Sequence, residues 1–174
     1  MACVSGLFDT YDEAYDALVA IREAGAEPEQ LSLITNNTTL PDSRSSAESV
    51  IASLPGIGEV AVIGWITAAL AGTAGSPHTS PPTSLAAALQ GNELSERLAE
   101  TYSEALRRGS TLLLVRCAET DVAKVEAMLD DWGTVKIDEL RDRYIAEGWI
   151  AFDQTVQPLT LEDIERGRRV RGLS

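Results

Sequence analysis

The run Thr111-Leu112-Leu113-Leu114-Val115-Arg116-Cys117 constrains this chain more than any other stretch, being closed by Gly109 on one side and by Glu119-Thr120-Asp121 on the other. An apolar run of this length between turn signals predicts a strand covered on at least one face. One helix is predicted to end at Arg108, just before it, and another to begin near Asp121, just after it.

The residues around that strand repeat a grammar already used at the start of the chain. Cys3–Phe8 reads as a strand, Thr10 and Glu13 as a capping box, and Ala14, Ala17, Leu18 and Ile21 as the apolar stripe of a helix that Gly25 ends. Leu31–Thr35 reads as the next strand. Later come Thr111–Cys117, a cap at Thr120, a helix with Val122, Val125, Leu129 and Trp132 on one side, Gly133, and a strand over Val135–Leu140. Two such strand-helix-strand units cannot each bury their own apolar face, so they are expected to share one four-stranded antiparallel sheet with both helices on one side. The predicted class is therefore α+β, ferredoxin-like, with the first and third strands central. That order brings Cys3 close to Cys117, either in contact or as two small core thiols. The expected organisation is a domain over residues 1–140 interrupted by a large helical, Gly/Ala-rich insertion over 36–109, and a C-terminal arm over 141–174.

Within the insertion, residues 36–46 are turn-rich and Ala47–Leu54 suggests a short helix stopped by Pro55-Gly56. Val60–Ile66 reads as a buried strand leading into a small-residue helix. The Gly58–Gly75 stretch approaches the length of a membrane span but is poor in bulky side chains and lacks basic flanks, which argues against spanning. Peripheral membrane contact by this stretch is the weakest of the functional readings. Residues 75–83, with three prolines, read as a link, and Leu94, Leu98, Tyr102 and Leu106 mark one face of a helix that Gly109 ends.

The net charge of -13, from 27 acidic against 14 basic residues, disfavours nucleic-acid partners and anionic membranes, both of which need a basic face. Two cysteines make no disulfide scaffold and no zinc signature. Asp9, Asp12 and Glu13 stand where an export signal would be basic and then apolar, so a cytoplasmic location is expected.

No catalytic, cofactor or metal site emerges from the residues. His78 lies in a Ser/Pro/Thr-rich segment with no partner at triad or ligand spacing. The acid pairs Asp12-Glu13, Asp130-Asp131 and Glu162-Asp163 adjoin predicted helix ends and read as solvated charge. Gly56-Ile57-Gly58 lacks the third glycine of a dinucleotide fingerprint. The first strand-helix turn, Gly6–Tyr11, could hold an anion by fold analogy, but its own carboxylates crowd that position.

Val4-Ser5-Gly6-Leu7-Phe8-Asp9 with Glu13-Ala14, Leu54-Pro55-Gly56-Ile57-Gly58 before a Gly/Ala-rich stretch, and Tyr102-Ser103-Glu104-Ala105-Leu106-Arg107-Arg108-Gly109 leading into Leu112–Val115 occur in this order. Together they resemble the bacterial general stress protein domain of the heat-induced, seventeen-M-like type, over roughly residues 3 to 138. Arg143-Tyr144, Glu147-Gly148-Trp149 and Phe152-Asp153 resemble the short tail often attached to it. The resemblance implies a small cytoplasmic domain associated with general stress responses, with no established reaction and no catalytic residues to transfer. The Pro/Ser/Thr-rich residues 76–84 depart from the family pattern.

The tail supplies the candidate partner-binding residues. Thr160 and Asp163 form a second capping signal, and the helix they start ends in Arg166, Arg168, Arg169 and Arg171. Trp149 and Phe152 are predicted to anchor the arm, with Arg166, Arg168 and Arg169 orienting it against an acidic surface of this chain, a second copy or a partner. The function expected is a non-catalytic stress-response or regulatory domain acting through protein association, a homodimer included. The alternative is a small-molecule-binding or enzymatic domain with a pocket between sheet and insertion.

Overall fold

The computed structural model describes residues 2–36, 50–54, 56–67, 85–90, 94–153 and 155–170. Its strands β1 (Ala2–Phe8), β2 (Leu31–Asn36), β3 (Val50–Leu54), β4 (Gly58–Gly64) and β5 (Thr111–Cys117) form one sheet in the order β1-β5-β2-β4-β3. Every pairing is antiparallel. The described helices are α1 (Tyr11–Glu23), α2 (Leu85–Gln90), α3 (Glu96–Arg107), α4 (Val122–Asp131), α5 (Ile137–Ala146) and α6 (Leu161–Val170). The chain is thus α+β.

β5 explains the unbroken apolar run, because both of its faces are covered. Leu112 and Leu114 point to one side and Leu113 and Val115 to the other, and all four are buried. On the first face, β-strand residues such as Leu7, Ile34, Val60 and Val62 pack under α2, α3 and α5. On the second, Val4, Phe8, Leu31 and Leu33 pack under α1 and α4. The Thr10 hydroxyl accepts the Glu13 amide at 3.3 Å and starts α1 as expected.

The sheet departs from the expected four-strand plan at both edges. Val135–Leu140 does not form a strand. Val135 donates one backbone hydrogen bond to the Leu7 carbonyl at 2.8 Å, and the chain then turns into α5. The alternation of Val135 and Ile137 suggests a strand, but Ile137, Leu140 and Tyr144 also recur at helical spacing, and the helix buries Leu140 and Tyr144 on the first face. Without that strand, β1 lies at an edge instead of the centre. At the other edge, Ala47–Leu54 is not the expected helix, since Val50–Leu54 is the strand β3. Gly56 and Gly58, at φ 78° and 102°, close a tight turn that pairs β3 with β4, and β-branched Val50 and Ile51 suit that pairing.

The buried strand expected over Val60–Ile66 is β4, and Ile66 follows it, its amide held by the buried Ser32 hydroxyl at 3.1 Å. None of the helices among the described residues is long and apolar enough to cross a membrane. Residues 37–49, His78 and the Pro-rich link lie outside the described residues. Trp132, expected on the buried side of α4, is 44% exposed. Cys3 pairs in register with Arg116, beside Cys117, but the cysteines pack on opposite faces of the sheet and no disulfide joins them.

Candidate functional site: the joint between α3 and the tail

Two stretches that are far apart in sequence meet at the C-terminal end of α3. The helix starts at Ser95, whose hydroxyl accepts the Leu98 amide at 3.2 Å, and ends with Arg107 and Arg108 before Gly109 at φ 98°. Cations suit this position because the last carbonyls of a helix point toward them. Arg108 donates from Nε to Glu104 Oε1 at 2.8 Å and from Nη1 to Glu147 Oε2 at 2.5 Å. Its guanidinium carbon also sits 4.0 Å from the centre of the Tyr144 ring. Glu104 is only 4% exposed, so this is a buried carboxylate held by a cation from its own helix.

Burial alone would lower the Arg108 pKa, but the hydrogen bonds it donates to Glu104 and Glu147 outweigh it and raise the value above that of an ordinary arginine. Arg107 stands 3.7 Å from the same Glu104 oxygen and donates from Nη2 to the Gln157 carbonyl at 3.2 Å. Arg141, on α5, donates to the Thr101 hydroxyl of α3 at 3.0 Å. These contacts tie α3 to α5 and to the segment beyond it.

The sequence-predicted residues fall around this joint in two groups. Trp149 and Phe152 are partly buried and pack inward on the first-face core. Trp149 meets Tyr144 edge-on at 5.9 Å, with the Arg141 guanidinium 5.2 Å from its ring. The Trp149 indole nitrogen is buried without a hydrogen-bond partner. Arg166 lies on exposed α6 and is paired within its own helix, with Glu162 at 3.1 Å and Asp163 at 3.6 Å. Arg169 is exposed near the end of the same helix. Arg168 belongs to α6 as well, with its side chain outside the described set.

Thr160 and Asp163 cap α6 reciprocally, as the sequence predicts, at 3.2 and 3.4 Å. Those bonds, and then Arg166 and Arg107, hold the Asp163 carboxyl below the usual aspartate range. Ile164 is buried, which docks α6. Between α6 and the end of α3 lies a cavity of about 370 Å³ lined by Arg107, Arg108, Glu147, Leu159, Ile164 and Arg166. At this joint the end of α3 supplies Arg107 and Arg108, and the tail supplies the carboxylate of Glu147.

Sequence reasoning missed Glu104, Arg107, Arg108 and Glu147 as partners. The local part was available, since Glu104 precedes Arg108 by four positions on a helix, whereas Glu147 is distant in sequence. With Arg108 and Arg166 already matched to carboxylates, the arrangement holds structure together. Among the described residues, no group of three or more His, Cys, Asp or Glu side chains is placed to hold a metal ion. No family model, curated protein or solved structure matches the chain.

Proposed function

We propose that this chain is a non-catalytic regulatory domain of the general stress protein kind, acting in the cytoplasm through protein association, with the outer side of its tail as the contact surface. The observation that carries this reading is the division of the tail's apolar residues. Trp149 and Phe152 turn inward to fasten it, while Ile145, Ile150, Val156 and Leu161 face solvent, Ile150 at 89% exposure. Aliphatic side chains gathered on one held segment are what a protein contact uses, and a strongly acidic chain gains little by exposing them otherwise.

In this reading the sheet is a ferredoxin-like one that has lost its closing strand. The order β1-β5-β2, with α1 and α4 on the same face, supports it. The meeting of Glu104 and Arg108 with Tyr144 and Glu147 supports the stress-protein resemblance, because the two resembling stretches then form one joint. A protein partner or a second copy fits the tail surface better than a nucleic acid does, given the net charge of -13.

The test is a paired substitution, Ile145→Glu with Ile150→Glu. Both residues are half or more exposed, so the variant's stability should stay within about 0.5 kcal/mol of the parent's. Affinity capture from stressed cells, together with sedimentation of the pure chain, should show a partner or a dimer that the variant loses. Identical association by parent and variant would refute the reading.

A further inference from the structure

The outer edge of β1 is a slot one strand wide, and the geometry points to its use as a docking groove for an extended peptide segment carrying a basic side chain. The Val135 bond to the Leu7 carbonyl fixes the parity of the strand. Residues alternate along a strand, so Ser5 turns its N–H and C=O to the same outer side as Leu7, while Gly6 and Phe8 face β5. The chain that reaches this edge at Val135 leaves it again at Ile137, where α5 begins.

Beside Ser5 and Gly6 this leaves a cleft of about 300 Å³. The helical layers continue past the strand on both of its faces. Tyr102 of α3 and Ile137 of α5 form one wall, Glu126, Leu129 and Asp130 of α4 form the other, and Thr134, Val135 and Lys136 close the cleft beside Gly6 and Leu7. The slot therefore has a strand edge as its floor and a helix layer on either side, which is the shape needed to add a strand.

The walls also specify the occupant. Glu126 and Asp130 stand one helical turn apart on α4, both exposed and both lining the cleft, with Lys136 as the one cation among the described residues of its lining, so a side chain entering from an added strand meets a lining of net negative charge. The opposite wall offers the Tyr102 hydroxyl, 2.7 Å from that of Ser5. A second copy of this acidic chain would bring further carboxylates to the slot, whereas a lysine or arginine on a partner strand would meet complementary charge. This surface uses none of the exposed tail residues Ile145, Ile150, Val156 and Leu161. It rests on the association reading only in supposing that the chain works by binding protein.

The experiment uses the full chain and two short blocked peptides, one alternating valine with lysine and one alternating valine with glutamate. Fluorescence anisotropy should show the lysine peptide binding about tenfold more tightly or better. The amide signals of Ser5 and Leu7 should shift on binding. Glu126→Lys with Asp130→Lys should weaken the lysine peptide about tenfold, whereas the same charge change at exposed Glu23 and Glu29 should not. Ser5→Pro should remove binding by deleting the outward N–H, a substitution that edge strands accept. The paired lysine variant keeps the test decisive if the proline variant does not fold. Equal binding of the two peptides, equal weakening by the control pair, or a dimer abolished by Ser5→Pro would overturn the proposal. Peptide binding that survives Ile145→Glu with Ile150→Glu would separate this groove from the tail surface, and loss of binding in that variant would overturn the assignment to β1.

Discussion

The two faces of the sheet are covered in different ways. The face under α1 and α4 is covered by helices adjacent in sequence to the strands they pack on, α1 joining β1 to β2 and α4 following β5. Among the described residues its packing is largely apolar, and it includes a hydroxyl pair, Thr35 with Thr111 at 2.8 Å. The face under α2, α3 and α5 is covered by helices from the insertion and the tail, and polar ties accompany the packing. Ser5 bonds Tyr102 at 2.7 Å, Asn36 donates to the Leu106 carbonyl at 2.9 Å, and Arg108 joins Glu104 to Glu147. A short connection already limits where a helix can dock, so apolar burial suffices. A helix arriving from far along the chain has many ways to lie on an apolar sheet, and a buried polar pair penalises the wrong ones.

The sharpest way to break this comparison is to cut into each face from the same strand. Leu112→Ala and Leu113→Ala remove fully buried side chains from opposite faces, and each should cost about 2–5 kcal/mol in urea denaturation. Because the faces share one sheet, each variant should still unfold in a single transition. Separate transitions would mean that the faces are independent units.

The ionic tie distinguishes the faces next. Arg108→Ala leaves Glu104 buried beside only the more distant Arg107, and should cost about 3 kcal/mol. Replacing both members, Arg108→Met with Glu104→Leu, should recover much of that loss while loosening the tail. A double variant as unstable as Arg108→Ala alone would show that the pair contributes more than placement.

This contrast also marks how far the sequence could be read. β5, α1 and the helix ended by Gly109 were legible because their patterns report burial by near neighbours. Val135–Leu140 was not, because Val135 and Ile137 fit a strand while Ile137, Leu140 and Tyr144 fit a helix, and the choice depends on a distant core. Val50–Leu54 was misread as part of a helix for a related reason, since its pairing with β4 is what selects a strand. At the joint, Trp149 stands out in the sequence as a large aromatic beside a glycine stop, and it packs edge-on against Tyr144. The pairing of Arg108 with Glu147 was not legible, since nothing local records a contact between charges so far apart in sequence.

Smaller effects sharpen the picture further. Tyr102→Phe removes the hydroxyl that meets Ser5 and should cost about 1 kcal/mol. A similar loss is expected for Thr35→Val on the other face, where Thr111 would lose its partner. Much larger damage from the first would show that polar ties on the face under α2, α3 and α5 are more than local.

The smallest effect lies at the outer end of the tail. Asp163 titrates below the usual aspartate range because Thr160 bonds its ionised form, and a carboxyl depressed in the folded state stabilises above its unfolded value and ceases to do so as pH falls through its folded value. The α6 cap should therefore loosen only in acid below that range. Thr160→Ala should raise the Asp163 midpoint toward the ordinary value in a carbon-detected NMR titration. An unmoved midpoint would remove the cap from the account.

The most direct test of the central claim, that the tail is part of the cover of the first face, is the thermal unfolding of a chain lacking Arg141–Ser174. Tyr144 is 1% exposed and sits against Arg108, so its removal together with Glu147 and Trp149 uncovers the core over α3. The account predicts a broad transition at much lower temperature, with exposed apolar surface that binds a hydrophobic dye. A truncated chain that melts as sharply and as high as the parent would contradict it.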